Sequence, residues 1–276
     1  MHRRHFIHLC LTAVAAAALE CPAAGVLSPS PRRNIKRGLG ITTGKTNDWR
    51  RKLQLCGASW FYSWSKNVPE NIPEGVEFVP MIFRAMNSET IAEAGETFRD
   101  RKLHQLLGFN EPDHKDQSDM TVEQALDLWP KLMALDLRLG SPGCAQPDQG
   151  WMKDFMKGVD ERKLRVDFVT VHSYGGLDVD ALIRRLESVH QLFKRPIWIT
   201  EFGVGDWKAK TRAENRYQPE QIVTFLEKLL PRLDALDVVE RYAWFPAAPD
   251  NHALGPCALF TEEGSLTHVG EAYRSV

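Results

Sequence analysis

A chain of 276 residues is long enough to bury one large α/β core or two small ones. The formal net charge of −1 argues against nucleic acid or an anionic membrane surface as a partner. Eight tryptophans are a high count, and core packing accounts for only some of them.

The first 25 residues have the layout of a signal peptide. A basic start is followed by an apolar run from Phe6 to Leu19 and by small residues at 23–25. The apolar run is too short for a membrane span. Arg3-Arg4 also resembles a twin-arginine signal, which exports folded proteins. We therefore expect a secreted or periplasmic protein in which residues 26–36 form a linker rich in Pro, Ser and Arg.

Residues 37–276 show no shift in composition, no repeat and no low-complexity tract, so they are predicted to form one domain. Short apolar segments recur along this domain, each followed by polar or helical sequence. The predicted strands are residues 38–41, 58–62, 77–82, 106–110, 137–141, 168–172, 197–201 and 242–245.

Helical signals lie between these strands. Thr121 can cap a helix, and Gln124 follows at the capping-box position. The predicted helices are residues 88–98, 121–126, 178–193 and 219–233. Eight strands alternating with helices predict a single-domain α/β fold, the (β/α)8 TIM barrel. A doubly wound open sheet is the alternative, and Pro80 is unusual inside a parallel strand.

In a barrel, the carboxyl ends of all strands border one shared cleft. Reading those ends gives two carboxylates, several aromatic rings and a few hydrogen-bonding groups. They are Trp60, Trp64, Arg84, Asn110, Glu111, His172, Tyr174, Glu201 and Trp244, and Trp207 follows in the loop after strand seven. Such a set suits an uncharged, polyhydroxylated ligand.

The two glutamates are the candidate catalytic groups. Glycoside hydrolysis needs one carboxyl group that donates a proton and another, ionised, that attacks the sugar or activates water. Glu111 lies beside Asn110 at a strand end closed by a proline, and we assign it as acid/base. Glu201 would be the nucleophile, held by a hydrogen bond from Tyr174. The alternative is two unrelated surface glutamates.

Other polar groups give weaker signals. Without the signal peptide, Cys56, Cys144 and Cys257 remain, as one disulfide plus a thiol or as three thiols. His172 is as well explained by a structural role as by a ligand contact. The other histidines lack ligand spacing, and residues 38–46 lack the spacing of a phosphate-binding loop. We therefore expect neither a metal nor a cofactor.

Two motifs, Asn110-Glu111-Pro112 and Thr200-Glu201-Phe202-Gly203, resemble the catalytic motifs of clan A glycoside hydrolases. Together with Val171–Gly175 and Tyr242–Phe245, they resemble glycoside hydrolase family 128, a group of β-1,3-glucanases. The resemblance runs from Gly38 to the end of the chain. It implies a retaining double displacement on β-1,3-glucan or its oligosaccharides, with Glu111 as acid/base, Glu201 as nucleophile and Asn110 on the sugar 2-hydroxyl.

Ser63 and Ser173 depart from the family pattern, which has Asn and an aromatic residue at these positions. We expect both to affect the glucan subsites. We also expect the protein to act as a monomer. A glucan transglycosylase and a non-catalytic β-glucan-binding protein are the alternatives, and the intact pair of Glu111 and Glu201 argues against the second.

Overall fold

A computed structural model describes residues 34–44 and 48–275 of the chain. The predicted signal peptide and its arginine pair lie outside these ranges. No helix among the described residues is long and apolar enough to cross a membrane. Residues 34–36 are the described part of the predicted linker, and they contact the domain. The Asn34 amide donates to both carboxylate oxygens of Asp234, at 2.9 and 2.8 Å.

Eight parallel strands form the centre of the described structure. They are β1 (Arg37–Gly40), β2 (Trp60–Tyr62), β3 (Glu77–Phe78), β4 (Gln105–Leu106), β5 (Arg138–Leu139), β6 (Val169–Ser173), β7 (Ile197–Phe202) and β8 (Val239–Trp244). Six of them form a sheet in the order β3-β2-β1-β8-β7-β6, and β4 pairs with β5. Single parallel bridges from Met81 to Leu107 and from Gly140 to Phe168 join this pair to both edges of the sheet. The strands thus close into the predicted (β/α)8 barrel.

Pro80 fits the barrel because it lies beyond the last laddered residue of β3. It has no N–H to donate, but its carbonyl accepts a hydrogen bond from the Leu107 N–H at 2.9 Å. The third strand therefore meets the fourth through a few separate hydrogen bonds rather than through a continuous ladder.

Seven α-helices lie along the described part of the chain. They are α1 (Asp48–Leu55), α2 (Ser88–Asp100), α3 (Val122–Met133), α4 (Gly150–Glu161), α5 (Val179–Phe193), α6 (Pro219–Ala235) and α7 (His268–Ser275). The four predicted helices correspond to α2, α3, α5 and α6, and the capping box of Thr121 and Gln124 is present. Helices α1, α4 and α7 were not predicted.

The apolar core has two parts. A large outer cluster lies between strands and helices, and it includes Trp244. A smaller cluster fills the barrel and contains Trp60, Tyr62, Val79, Met81, Leu107, Phe168, Trp198 and Ala243. Ala243 and Trp244 belong to different clusters because successive side chains of a strand point to opposite faces. This alternation decides which strand-end residues can reach the cleft.

Polar and aromatic groups fill the amino-terminal end of the barrel. The Arg241 guanidinium lies 4.3 Å from the Trp198 ring centroid and 5.5 Å from that of Trp60. Its charge is paired with Glu77 at 2.5 Å. The opposite end, where the strands finish, is the one that carries the cleft.

The three cysteines of the domain are free, buried thiols. Cys56, Cys144 and Cys257 each stand alone, so the described structure has no disulfide between them. Burial raises the pKa of the Cys56 thiol to about 12 and that of Cys257 to about 11. Both groups therefore stay protonated at neutral pH and behave as small apolar side chains.

Candidate active site

Glu111 follows β4 in a strained turn. Asn110 forms an isolated parallel bridge with Gly143, and the Glu111 N–H donates to the Gly143 carbonyl at 2.7 Å. The φ angle of Glu111 is +39°, in the left-handed region that a residue with a Cβ seldom adopts. Such a conformation costs on the order of 1–3 kcal/mol and persists only when the surroundings enforce it. The bend ends the strand, and Glu111 lines the cavity at its mouth.

Glu201, near the end of β7, is buried and receives three hydrogen bonds. Its Oε1 accepts from Trp64 Nε1 at 2.7 Å and from the Tyr62 hydroxyl at 3.2 Å. Its Oε2 accepts from the Tyr174 hydroxyl, the bond expected from the sequence. Only 5% of Glu201 is exposed. Hydrogen bonds of this kind fix the orientation of a carboxylate.

The two phenols beside Glu201 act as donors. Burial, together with the negative charge of Glu201, raises the pKa of Tyr62 well above its ordinary value. The same two causes raise the pKa of Tyr174. Both hydroxyls therefore keep their protons at neutral pH. Tyr174 donates its proton to the carboxylate, whereas the single Tyr62 proton is shared between Glu201 Oε1 at 3.2 Å and the Thr200 carbonyl oxygen at 3.0 Å.

His172, on β6, lies between the two glutamates. Its Nδ1 is 2.9 Å from Glu111 Oε1 and 3.7 Å from Glu201 Oε2. Burial opposes a charge on the ring, but the negative charge of Glu201 and the hydrogen bond to Glu111 outweigh it and raise the pKa of His172. Nε2 has no hydrogen-bond partner among the described residues, and a Cβ at Gly143 would lie only 2.8 Å from it.

The facing groups lie close together. One oxygen of Glu111, one of Glu201 and a ring nitrogen of His172 all lie within 4.8 Å of one another. Two carboxylates and an imidazole are groups that a divalent metal accepts. Here, however, hydrogen bonds from Trp64, Tyr62 and Tyr174 already engage both oxygens of Glu201. The arrangement therefore suits acid–base and nucleophilic chemistry at least as well as metal binding.

A cavity of about 700 Å³ opens over these groups. It is lined by Glu111, His114, Asp116, Gln117, Ala145, Gln146, His172, Tyr174, Gly175, Arg185, Glu201, Trp207, Phe245, Asn251 and Leu254. Trp207 is 63% exposed, and its ring stands edge-on to that of Tyr174 with centroids 5.7 Å apart. Aromatic faces beside hydroxyl, amide and charged groups can hold a sugar by its apolar face and its hydroxyls.

Three of the residues predicted to contact a ligand lie elsewhere. Trp60 is 1% exposed in the barrel interior, and its Nε1 donates to the Lys36 carbonyl at the far end. Trp244 faces the outer core, is fully buried and donates to the Cys257 carbonyl. Arg84 is exposed over the Phe83 ring and does not line this cavity. The prediction was wrong for the two tryptophans because a position near a strand end determines neither how far along the barrel axis a side chain lies nor to which face of the strand it points.

Asn110 is 3% exposed and directly precedes Glu111. Its Nδ2 donates to Gln117 Oε1 at 3.2 Å, whereas its Oδ1 has no partner among the described residues. An unpaired buried carbonyl is costly, so this atom is suited to accept from a ligand hydroxyl. Ser63 and Ser173 are buried, and neither is among the residues that line the cavity.

Some site residues were missed from the sequence. Tyr62 lies two residues after Trp60 and faces the same side of β2, higher in the barrel, where it reaches Glu201. Phe245 follows Trp244 and faces the cavity, as strand alternation requires. Arg185 reaches the cavity from α5, held by Asp148 at 2.9 Å. A residue on a helix carries no strand-end signal, so only the structure could identify Arg185.

The chain resembles characterised proteins over most of its length. The glycosyl hydrolase catalytic core family matches residues 38–273. A family 128 subgroup I endo-β-1,3-glucanase from Amycolatopsis mediterranei, solved with laminaritriose, is 34% identical with a TM-score of 0.76, over 87% of this chain and 99% of its own. A subgroup II endo-β-1,3-glucanase from Sorangium cellulosum is 26% identical with a TM-score of 0.71, over 87% and 98%.

A curated relative is the alkali-sensitive linkage protein 1 of Schizosaccharomyces pombe. It is 27% identical over 249 residues, which are 87% of this chain and 44% of that protein. This chain therefore spans less than half the length of that relative.

A (β/α)8 barrel with two glutamates facing each other at the carboxyl ends of its strands has the equipment of a glycoside hydrolase. The similarity over residues 38–273 agrees with that class. The chain belongs to the glycosyl hydrolase catalytic core family and to glycoside hydrolase family 128.

Proposed function

We propose that the protein hydrolyses β-1,3-glucan with retention of configuration, using Glu111 as acid/base and Glu201 as nucleophile. The observation that carries this proposal is the close approach of the two glutamates, since one carboxylate oxygen of Glu111 lies within 4.8 Å of one of Glu201. Retaining enzymes have carboxyl groups about 5–5.5 Å apart, whereas inverting enzymes need about 6.5–9.5 Å to admit a water molecule.

The surroundings of the two glutamates differ in the way that the two roles require. Glu201 is the more buried, and hydrogen bonds from Trp64, Tyr62 and Tyr174 hold and orient it. Glu111 has a 14% exposed side chain, and the His172 ring is its side-chain partner. A nucleophile must stay charged and fixed, while an acid/base must exchange a proton with the leaving group and with water.

In the first step, Glu201 attacks the anomeric carbon and the bond to the leaving oxygen breaks. Glu111 donates its proton to that oxygen, so the leaving chain departs as an alcohol. In the second step, Glu111 removes a proton from water, which attacks the glycosyl-enzyme and releases Glu201 as a carboxylate. Each step inverts the anomeric carbon, and two inversions give retention.

The proposed substrate rests on the family and on the cavity. The relatives from Amycolatopsis mediterranei and Sorangium cellulosum are endo-β-1,3-glucanases. In this chain, the cavity offers Trp207, Tyr174 and Phe245 for sugar faces. The unpaired Oδ1 of Asn110 is available for the sugar 2-hydroxyl next to the cleaved bond.

The test is release of reducing sugar from a linear β-1,3-glucan, measured beside cellulose and a mixed-linkage β-glucan. We expect activity on the β-1,3 polymer, and we expect Glu111→Gln and Glu201→Ala to abolish it while both variants stay folded. Proton NMR of the first product should show the β anomer before mutarotation. An initial α anomer would refute the retaining mechanism.

Other outcomes would support the alternatives. Binding of the glucan without release of sugar would indicate a carbohydrate-binding protein. Products longer than the substrate at high oligosaccharide concentration would indicate transglycosylation. Full activity in Glu201→Ala would remove this residue from the mechanism.

A further inference from the structure

We propose that Asp113 is a positioning residue for the acid/base Glu111, an inference that rests on the proposed function. Asp113 lies two residues after Glu111, on the same turn. Its Oδ1 accepts from the Ala145 N–H at 2.9 Å, and its Oδ2 accepts from the Gln146 N–H at 2.9 Å. Both oxygens of one carboxylate thus clamp the loop that follows β5.

The turn that carries Glu111 is strained, so contacts from outside the turn must stabilise it. Glu111 is in the left-handed region, where a residue with a Cβ is strained. The Glu111 N–H donates to the Gly143 carbonyl at 2.7 Å, and the Glu111 carbonyl accepts from the His114 N–H at 3.0 Å. The Asp113 clamp adds a second attachment of this turn to the same loop, on the other side of Pro112.

The loop after β5 is itself part of the site wall. The Gly143 N–H donates to the Phe109 carbonyl at 2.8 Å, and Cys144 forms a bridge with Val171 on β6. Gly143 packs against the His172 ring, and Ala145 and Gln146 line the cavity. Through these two N–H groups, Asp113 therefore fixes the distance between the Glu111 turn and the loop beside His172.

The arrangement calls for a carboxylate. Two backbone N–H groups point at the side chain, and an ionised aspartate is acceptor-only, with an oxygen for each. Asparagine at this position has one carbonyl oxygen, and its amide would oppose the second N–H group. Asp113 also contributes negative charge near His172, although less than the two glutamates do.

The expected effect is on the proton-donating step. A small misplacement of a catalytic group can cost about 100-fold in rate, and general acid catalysis contributes about 10²- to 10⁴-fold. Departure of a glucan alcohol needs the proton from Glu111, whereas departure of a dinitrophenolate does not. A residue that positions Glu111 should therefore matter for the first substrate and little for the second.

The experiment measures kcat/KM on an oligosaccharide of β-1,3-glucan and on its dinitrophenyl glycoside. For each substrate, kcat/KM reports the first chemical step, in which the leaving group departs, and not the second. The variants are Asp113→Ala and Asp113→Asn, with Glu111→Gln as a reference. The matched control is Asp178→Ala, since exposed Asp178 also accepts a backbone N–H, from Ala181 at the start of α5, away from the cavity.

We expect Asp113→Ala to lower kcat/KM on the oligosaccharide by about 10- to 100-fold and to leave the dinitrophenyl substrate nearly unchanged. Asp113→Asn, which keeps one acceptor, should give a smaller loss of the same kind. Asp178→Ala should not separate the two substrates. Thermal unfolding of each variant verifies that it is folded, and Asp113→Asn decides the matter if Asp113→Ala is not.

Equal losses on both substrates in the Asp113 variants, or no loss on either, would overturn the inference. If Glu111→Gln separates the substrates and the Asp113 variants do not, only this inference fails. If Glu111→Gln keeps full activity on the oligosaccharide, the proposed function itself fails.

Discussion

Removing the Tyr174 hydroxyl is a sharp test of how Glu201 is held. In Tyr174→Phe the ring keeps its edge contacts with Trp207 and Phe245, at centroid distances of 5.7 and 5.5 Å. Glu201 Oε1 keeps its donors from Trp64 and Tyr62. Oε2 loses the Tyr174 donor, so the change is confined to one hydrogen bond to a buried carboxylate.

The magnitude follows from that bond. A hydrogen bond to a charged group contributes about 1.5–3 kcal/mol, which corresponds to about 10- to 150-fold in rate at about 1.4 kcal/mol per tenfold. The second step should carry most of this loss, because Glu201 then leaves the sugar as an anion and needs its donors. In the first step Glu201 loses charge, so the same donors help mainly by orienting it.

The assay is pre-steady-state kinetics with a dinitrophenyl glycoside. In Tyr174→Phe, we expect a burst of phenolate equal to the enzyme concentration, a kcat lower by about 10- to 150-fold and a KM that falls with it. The control is Tyr217→Phe, whose hydroxyl accepts from Arg216 outside the cavity lining and whose kcat should not change. An unchanged kcat in folded Tyr174→Phe would refute the reasoning.

Four further predictions follow from the sequence and the site. The two glutamates raise the pKa of His172 above its unfolded value of about 6.5, so the charged ring stabilises the fold below that pH and this stabilisation is lost as the pH rises through the raised pKa. The melting temperature should therefore fall over this pH range in the wild type and fall less in His172→Gln. A chelator should leave activity unchanged, and a loss restored by a divalent metal would contradict the carboxylate mechanism. Trp207→Ala should raise KM by about 3- to 10-fold through lost stacking, measured on long and short oligosaccharides, with a smaller change in kcat. The signal-peptide prediction is tested by amino-terminal sequencing of protein recovered from the culture medium or periplasm: the sequence should begin near residue 26, and an intact start there would contradict the prediction.

Helices could be predicted from the sequence where they were long enough for their apolar periodicity to be recognised. Helices α2, α3, α5 and α6 have 12 to 17 residues, whereas the unpredicted α1 and α7 have eight each. Helix α4 begins at Gly150 behind Gln149, which makes no side-chain cap, so it gives no start signal. The beginning of β8 was missed because Glu240 and Arg241 are charged. The structure pairs them with Arg138 and Glu77 at the closed end of the barrel.

The proximity of Glu111 and Glu201 was predictable because chain order alone places the ends of β4 and β7 on one rim. The face of the strand to which a side chain points was harder to predict, because a shift of one residue exchanges the core-facing Trp244 for the cavity-facing Phe245. The position of a side chain along the barrel axis was also harder to predict, because Trp60 and Tyr62 lie on the same face of β2 at different depths. The contact of Asp113 with the backbone at 145 and 146 has no signal in the sequence, because any residue supplies an N–H group.

The hydrogen-bonding groups around Glu201 differ in whether they can also accept a hydrogen bond, and this difference determines how a glutamine side chain would be oriented at this position. Trp64 Nε1 can only donate, whereas the Tyr174 hydroxyl can rotate and accept instead. A glutamine at this position would therefore turn its carbonyl toward Trp64 and its amide toward Tyr174. Glu201→Gln would keep the shape of the resting pocket without its negative charge. Such a variant is suited to trapping an uncleaved oligosaccharide, whose position along the cleft could then be seen directly.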